Sequence, residues 1–140
     1  MSDLPKLRDD HFRLMGIVRR LGALIESAKA PPQLHLFALR HELTSILIAH
    51  LKAEDWVVYP QLLASADRHV AATARMFSEE MGGLAAAYQA HCEQWNAGAI
   101  AEDWTAYRID CRDILDALTV RITREERELF PLVQTLAHAA

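Results

Sequence analysis

The sequence predicts an all-α protein that folds as an up-down-up-down four-helix bundle. Apolar residues recur at helical spacing along nearly the whole chain, and no strand-like alternation interrupts them. Hydrophobic residues make up 51% of the chain but aromatic residues only 7%, a balance typical of packed helices. The 140 residues match one domain of common size, so residues 1–140 are predicted to form a single domain.

Four helices follow from this periodicity. The first ends at Ala30-Pro31-Pro32, because tandem prolines cannot continue the hydrogen-bond ladder. The second covers about 34–63, the third about 71–95, and the fourth begins near Asp103. Short connections between long helices favour antiparallel neighbours. The inward seams of the second and fourth helices are predicted to be Leu36, Leu39, Leu43, Ile46, His50, Glu54 and Val57, and Tyr107, Cys111, Ile114, Leu118, Arg121, Glu125 and Leu132.

Two features inside these helices disturb the regular pattern. Pro60 predicts a kink near the end of the second helix, since it removes the bond to the Trp56 carbonyl. Gly82-Gly83 is unusual within a helix, each glycine costing about 1 kcal/mol relative to alanine. The pair predicts either a close helix contact or a local break, and the sequence does not decide between them.

Composition and charge exclude several classes of function. The net charge is −4 with acids and bases interspersed, so no basic stripe supports nucleic-acid binding. Charges interrupt every apolar run before the roughly 18 residues that a membrane span needs, and the polar N-terminus is unlike a signal peptide. Cys92 and Cys111 are isolated, which fits a reducing cytoplasm. No nucleophile set, phosphate loop or CxxC motif is present, so we expect a cytoplasmic protein that is not an enzyme.

The chain contains an internal repeat. Residues 50–60 align without gaps with residues 121–131, at an offset of 71, and both stretches end in an aromatic residue followed by proline. A weaker match at an offset of 70 relates Asp10-His11 to Glu80-Met81. The repeat pairs three kinds of position, which are His11 with Met81, His50 with Arg121, and Glu54 with Glu125.

Antiparallel packing is predicted to bring these six positions into one layer. His11 lies near the start of the first helix, and His50 and Glu54 near the end of the second, so those ends meet side by side. The other three positions reach the same level from the third and fourth helices. Charged residues on a buried stripe are costly unless they are paired or bind metal. His-x-x-x-Glu places both side chains on one face of a helix, where they can hold one ion.

These motifs resemble the hemerythrin-like (HHE cation-binding) domain family over nearly the whole chain. The resemblance lies in Asp10-His11, in His50-x3-Glu54-Asp55 with Tyr59-Pro60, and in Glu125-Glu126 with Phe130-Pro131. It implies a site between four helices in which two carboxylates bridge two irons that bind oxygen, nitric oxide or related small molecules. Carried over, His11 and His50 match the histidines of one iron, while Glu54 and Glu125 match the bridging acids.

The resemblance fails at the second iron. Its histidines should come from the third and fourth helices, where this chain has Met81 and Arg121. We hypothesise that Arg121 points inward, replaces that ion and pairs with Glu54 and Glu125, which argues against a di-iron site. Two alternatives stay open. One is a mononuclear iron, zinc or manganese site built from His11, His50, Glu54 and Glu125; the other, which the sequence favours slightly, is a metal-free salt-bridged layer.

Three functions are compatible with this half-lost site. The first is a sensory or regulatory protein that no longer carries oxygen. The second is a one-metal protein that senses a diatomic ligand or redox state. The third is an interaction module, since Leu118, Arg121, Glu125 and Glu126 also resemble the last helix of bacterial anti-sigma regulators. A protein partner and a homodimer are compatible with the sequence, which identifies neither.

Overall fold

The computed structural model describes the backbone of residues 4–139 and the side chains as far as residue 136. The first bundle helix is α1 (Leu4–Ile25), and the second combines α2 (Gln33–Ala53), the π-helical turn π1 (Glu54–Val58) and α3 (Tyr59–Leu63). The third consists of α4 (Arg68–Met81) and α5 (Leu84–Gln94), followed by the short α6 (Ala97–Glu102). The fourth combines α7 (Trp104–Arg124), the π-helical turn π2 (Glu125–Leu129) and α8 (Phe130–Ala139). The prediction of an all-α bundle is confirmed.

Contacts between the ends of the helices establish the up-down arrangement. Asp10 near the start of α1 bonds His50 near the end of α2. At the other end of the bundle, Arg108 near the start of α7 donates to the carbonyl of Ile25 at the end of α1. Within residues 4–139, no helix is long and apolar enough to cross a membrane. The extent of the domain, 1–140, stays a prediction, because residues 1–3 and 140 lie outside the described residues.

The core has two apolar parts. The larger contains residues from all four bundle helices, among them Leu14, Leu47, Leu84 and Leu118. The smaller lies at the end of the bundle where α1 begins, and consists of Leu7, Val58, Tyr59, Leu62, Val70, Ala74, Phe77, Leu129, Phe130 and Val133. In the first, second and fourth bundle helices the buried charged residues lie at the boundary between these two parts, whereas His91 of the third lies within the larger part. The polar layer is therefore enclosed by apolar packing at both ends.

Two π-helical turns give the internal repeat a structural counterpart. The N–H of Tyr59 bonds the carbonyl of Glu54, and the N–H of Phe130 bonds the carbonyl of Glu125, each five residues back. Each turn begins at a repeated glutamate and ends two residues before a proline. A proline clashes with the carbonyl four residues before it, and the wider turn relieves that clash. The π turn is therefore where the structure accommodates Pro60.

The π turns also correct two predicted seam residues. A π turn contains one extra residue, so every later residue moves around the helix axis. Val57, predicted to face inward, is 50% exposed, and Val58 is buried in its place. In the fourth helix Leu129 and Val133 are buried, whereas Leu132, predicted for the seam, is only partly buried.

The third helix is broken at Gly82-Gly83, which decides between the two sequence alternatives. A β-carbon at position 82 would collide with the carbonyl oxygen of Ser78, so glycine is required by this geometry. The N–H of Gly82 still bonds Ser78, and α5 restarts at Leu84. After α5, Asn96 caps α6 by accepting a hydrogen bond from the N–H of Ala99.

Candidate metal centre

The structure brings together His11, His50, Glu54 and Glu125, the four residues that the sequence proposed for one metal. All four are buried, and one donor atom from each lies within 4.8 Å of the other three. Two donors that each lie about 2.1 Å from one ion can be at most about 4.2 Å apart. The four side chains therefore need only a small contraction to hold a single ion.

The inward atoms of these residues are orphaned. Among the described residues, His11 Nε2, His50 Nε2, Glu54 Oε2 and Glu125 Oε1 are buried and have no hydrogen-bond partner. His11 Nε2 lies 3.1 Å from Glu125 Oε1, and His50 Nε2 lies 3.2 Å from Glu54 Oε2, but neither pair is aligned as a hydrogen bond. Buried polar atoms without partners are rare in folded proteins, and a bound ion would satisfy all four. Two imidazoles and two carboxylates suit iron, zinc or manganese, so the residues fit the group.

A further carboxylate contacts the Nδ1 atom of each histidine. His50 Nδ1 lies 3.0 Å from Asp10 Oδ2, and Asp10 also accepts a hydrogen bond from Lys6 at 2.7 Å. His11 Nδ1 lies 2.6 Å from Glu126 Oε2. A carboxylate at Nδ1 favours the tautomer with its proton there, which leaves the Nε2 lone pair free for a metal. Asp10 and Glu126 therefore orient both imidazoles with Nε2 toward the other donors, as metal binding would need.

Arg121 is buried and points inward. Its Nε donates to Glu125 at 3.2 Å, and its Nη2 donates to Glu54 at 3.1 Å and to Asp55 at 2.7 Å. Its Nη1 donates to the backbone carbonyl of Met81 at 3.2 Å. Each glutamate offers one oxygen to Arg121 and leaves the other facing the histidines. The guanidinium thus lies on one side of the two acids, and the donor atoms without partners lie on the other side.

Tyr59 completes the surroundings of Arg121 and Glu125. Its hydroxyl donates to Glu125 Oε2 at 2.7 Å, and its ring lies 5.4 Å from the Arg121 guanidinium carbon. Burial and the neighbouring Glu125 raise the pKa of Tyr59 far above its ordinary value, so the phenol keeps its proton. The neutral phenol occupies Glu125 Oε2, so Oε1 is the oxygen of Glu125 that an ion could bind.

Without a metal, the four donors share protons. Burial lowers the pKa of His11, but the carboxylates of Glu125 and Glu54 outweigh it and raise that pKa to about 10. Burial raises the pKa of Glu54, but the nearby His11 and His50 reverse this and hold it well below its usual value. Burial and the adjacent Glu54 raise the pKa of Glu125 to about 7. Protons therefore compensate the buried acids when no ion does.

The metal-free protein is expected to lose stability in alkaline solution. A pKa raised on folding contributes stability below the unfolded value, and that stability disappears as pH rises through the folded value. For His11 this window runs from 6.5 to about 10. The chelator-treated protein should therefore melt at a lower temperature at pH 9.5 than at pH 7, and saturating Zn²⁺ should reduce the difference. The same loss in His11→Gln would show that other groups cause it.

The side of the layer with Met81 and Arg121 retains acids that match the outer carboxylates of the metal side. By the offsets of the repeat, Asp55 corresponds to Glu126 and Glu80 corresponds to Asp10. Asp55 now bonds Arg121, and Glu80 bonds Arg124 instead of a histidine. Acids are thus present at both outer positions on the side where Met81 and Arg121 stand in place of histidines.

Sequence reasoning missed four of the residues that shape this layer. Asp10, Asp55 and Glu126 each neighbour a seam residue, but the sequence gave them no contact partner, and Tyr59 was read only as part of the repeated aromatic-proline signal. Their contacts join residues 40 to 115 positions apart. The repeat did contain a signal for two of them, because an acid follows each repeated glutamate. Of these acids, Asp55 contacts Arg121 and Glu126 contacts His11.

Inward-facing histidines and carboxylates in a four-helix bundle are the arrangement from which metal sites in helical proteins are built, and this cluster could hold an ion. The family comparison then agrees with the site. A model of the hemerythrin HHE cation binding domain matches residues 2–133, nearly the entire chain. The chain belongs to this family. Neither the comparison with curated proteins nor that with solved structures gives a match.

Proposed function

We propose that this protein binds one transition-metal ion and acts as a sensory or regulatory binding protein, not as an oxygen carrier or an enzyme. The observation that carries the proposal is the set of four orphaned donor atoms on His11, His50, Glu54 and Glu125. The two Nε2 atoms lie 3.1 and 3.2 Å from these acids but are not aligned with them as hydrogen bonds, which a salt-bridged layer without metal would need. Their shared direction and missing partners favour the one-metal alternative over the metal-free layer.

Arg121 limits the site to one ion. Its charge lies against Glu54 and Glu125, on the side where the resemblance to the family calls for a second iron. A guanidinium stays protonated in proteins, so Arg121 cannot lose its charge to admit a second cation. A second cation at that position would meet this charge and would find Met81 where the resemblance calls for a histidine.

The residues of the chain would control a bound ion in distinct ways. His11, His50, Glu54 and Glu125 would hold it, Asp10 and Glu126 would orient the imidazoles, and the apolar parts of the core would exclude water. An iron or manganese ion supplies a centre that can change redox state or bind a small ligand, and zinc supplies a Lewis acid alone. A one-metal site of this kind suits detection more than oxygen carriage, which the family resemblance associates with two irons. The cytoplasmic location and a protein partner are further parts of this proposal.

Metal-dependent stabilisation tests the proposed function. Zn²⁺ or anaerobic Fe²⁺ at 100 times its dissociation constant should stabilise the chelator-treated protein by about 2.7 kcal/mol. His50→Ala should abolish this gain, because it removes one of the four donors. His41→Ala, which removes an exposed histidine from the same helix, is the matched control and should keep it. Equal stabilisation of both variants would place the binding elsewhere and contradict the proposal.

A further inference from the structure

We propose that the metal ion enters and leaves through a cavity over His11, with Glu126 as the carboxylate that first captures it. This inference rests on the proposed one-metal function and adds the route by which the site is loaded. The cavity has a volume of about 320 Å³ and lies at the surface between α1 and the fourth bundle helix. We call it the His11 cavity, and its lining residues are Arg8, His11, Phe12, Met15, Ile122 and Glu126.

The His11 cavity joins solvent to a metal donor through one side chain. The side chain of Glu126 is 35% exposed, yet its Oε2 lies 2.6 Å from His11 Nδ1. The other imidazole nitrogen of His11 lies 3.1 Å from Glu125 Oε1, inside the layer. In the proposed route a rotation of this one ring would open the donor atoms to the cavity without a movement of the helices.

His11 is the least firmly held of the four donors. His50 is held by Asp10, which is itself buried and paired with Lys6. Glu54 and Glu125 are both fixed by Arg121 within the core. His11 is held at Nδ1 only by the half-exposed Glu126 and otherwise stacks on the Phe130 ring at 4.9 Å. Stacking resists movement less than buried charge-assisted hydrogen bonds do.

Arg8 lies beside this route and is weakly paired with Glu126. Its Nε is buried without a hydrogen-bond partner among residues 4–136, and it lies 3.5 Å from Glu126 Oε1. A pair at this distance is not a hydrogen bond, and the Arg8 side chain is 40% exposed. Release of Arg8 would leave the Glu126 carboxylate free to attract a cation without breaking a buried bond.

On the opposite side, Arg121 separates the layer from a second cavity. A cavity of about 420 Å³ between α4, α5 and α7 reaches the layer at Arg121, which lies in its wall. A cation approaching from there meets the guanidinium before it meets Glu54 or Glu125. At the His11 cavity the residue next to the layer is the Glu126 carboxylate, and electrostatic attraction of a cation by such a group raises association rates by about 10- to 1,000-fold when it is strong. Each cavity also contains groups of the other sign, Arg8 in the first and Glu80 and Asp116 in the second, so the difference lies in the charge of the residue next to the layer.

The rate of Co²⁺ uptake tests this route. Stopped-flow absorption of bound Co²⁺ gives association, and competition with EDTA gives dissociation. Glu126→Gln keeps an acceptor for His11 but removes the charge, and it should slow association at least about threefold at low ionic strength. The effect should shrink in high salt.

Two control variants separate charge from other effects. Asp116→Asn removes the same charge beside the Arg121 cavity and should leave association unchanged. Asp10→Asn should weaken binding about 10- to 100-fold through dissociation alone.

A steric pair of variants tests the same route independently. Met15→Trp narrows the His11 cavity and should slow association and dissociation by the same factor, leaving affinity unchanged. Ala87→Trp narrows the opposite cavity and should change neither rate. Slower exchange in Ala87→Trp, or equal slowing by Glu126→Gln and Asp116→Asn, would overturn the route but leave one-metal binding intact. No Co²⁺ binding by the unaltered protein would overturn the proposed function and the route together.

Discussion

Arg121→Ala is expected to destabilise the metal-free protein by about 3–5 kcal/mol, the usual cost of removing one partner from a buried charged pair. The substitution would leave Glu54 and Glu125 without their shared cation, and it would also unpair Asp55 and the Met81 carbonyl. Urea unfolding in the presence of EDTA measures the change without interference from metal.

Two further variants isolate the role of the buried guanidinium. Arg127→Ala removes an exposed arginine from the same bundle helix and should change stability by less than about 0.5 kcal/mol. Arg121→Lys keeps the charge but has no rigid fork for several acceptors, so its loss should fall between the two alanine variants. A loss below about 0.5 kcal/mol in Arg121→Ala would show that the buried acids do not depend on this side chain.

Met81→His combined with Arg121→His is expected to raise the metal capacity of the chain from one ion to two. The double change removes the fixed charge and supplies both missing imidazoles at the positions that the repeat pairs with His11 and His50. The loss of Arg121 would release Asp55 to orient one new ring, as Glu126 orients His11. Glu80 would have to exchange Arg124 for the other new ring, as Asp10 orients His50. Iron and zinc analysis after anaerobic reconstitution gives the ratio of metal to chain.

The single variant Arg121→His is the control for this reconstruction. It removes the charge but supplies only one of the two imidazoles, so it should bind a second ion more weakly than the double variant does. A double variant that folds and still saturates at one ion would show that the Met81 side of the layer has lost more than its histidines.

Much of the fold could be predicted because the helical period is strong and local. The predicted seam residues of the second and fourth helices up to Glu54 and Glu125 are all buried except Ile46, and Pro31 and Pro32 fall in the break after α1. The inward residues beyond Glu54 and Glu125 were misplaced, because a π turn adds one residue and a regular period cannot reveal it. The repeated aromatic-proline pair was the signal for those turns.

The candidate donors could be proposed from the sequence because the chain repeats itself. A single His-x-x-x-Glu motif is common, but its match to Arg121-x-x-x-Glu125 at an offset of 71 selected one layer of the bundle. The partners of those donors could not be predicted in the same way. Whether Asp55 reaches Arg121 or Asp10 reaches His50 depends on side-chain rotamers and on the separation of two helices. The local sequence pattern determines neither the rotamers nor the separation of the helices.

The metal content of the protein, purified without a chelating column and then saturated with Fe²⁺ under anaerobic conditions, tests the central claim most directly. The site has donors for one ion, and Arg121 takes the place of the other. We expect about one metal ion per chain after purification and no more than one after saturation. Two irons per chain would contradict this account, because they would require Arg121 to leave the space between Glu54 and Glu125.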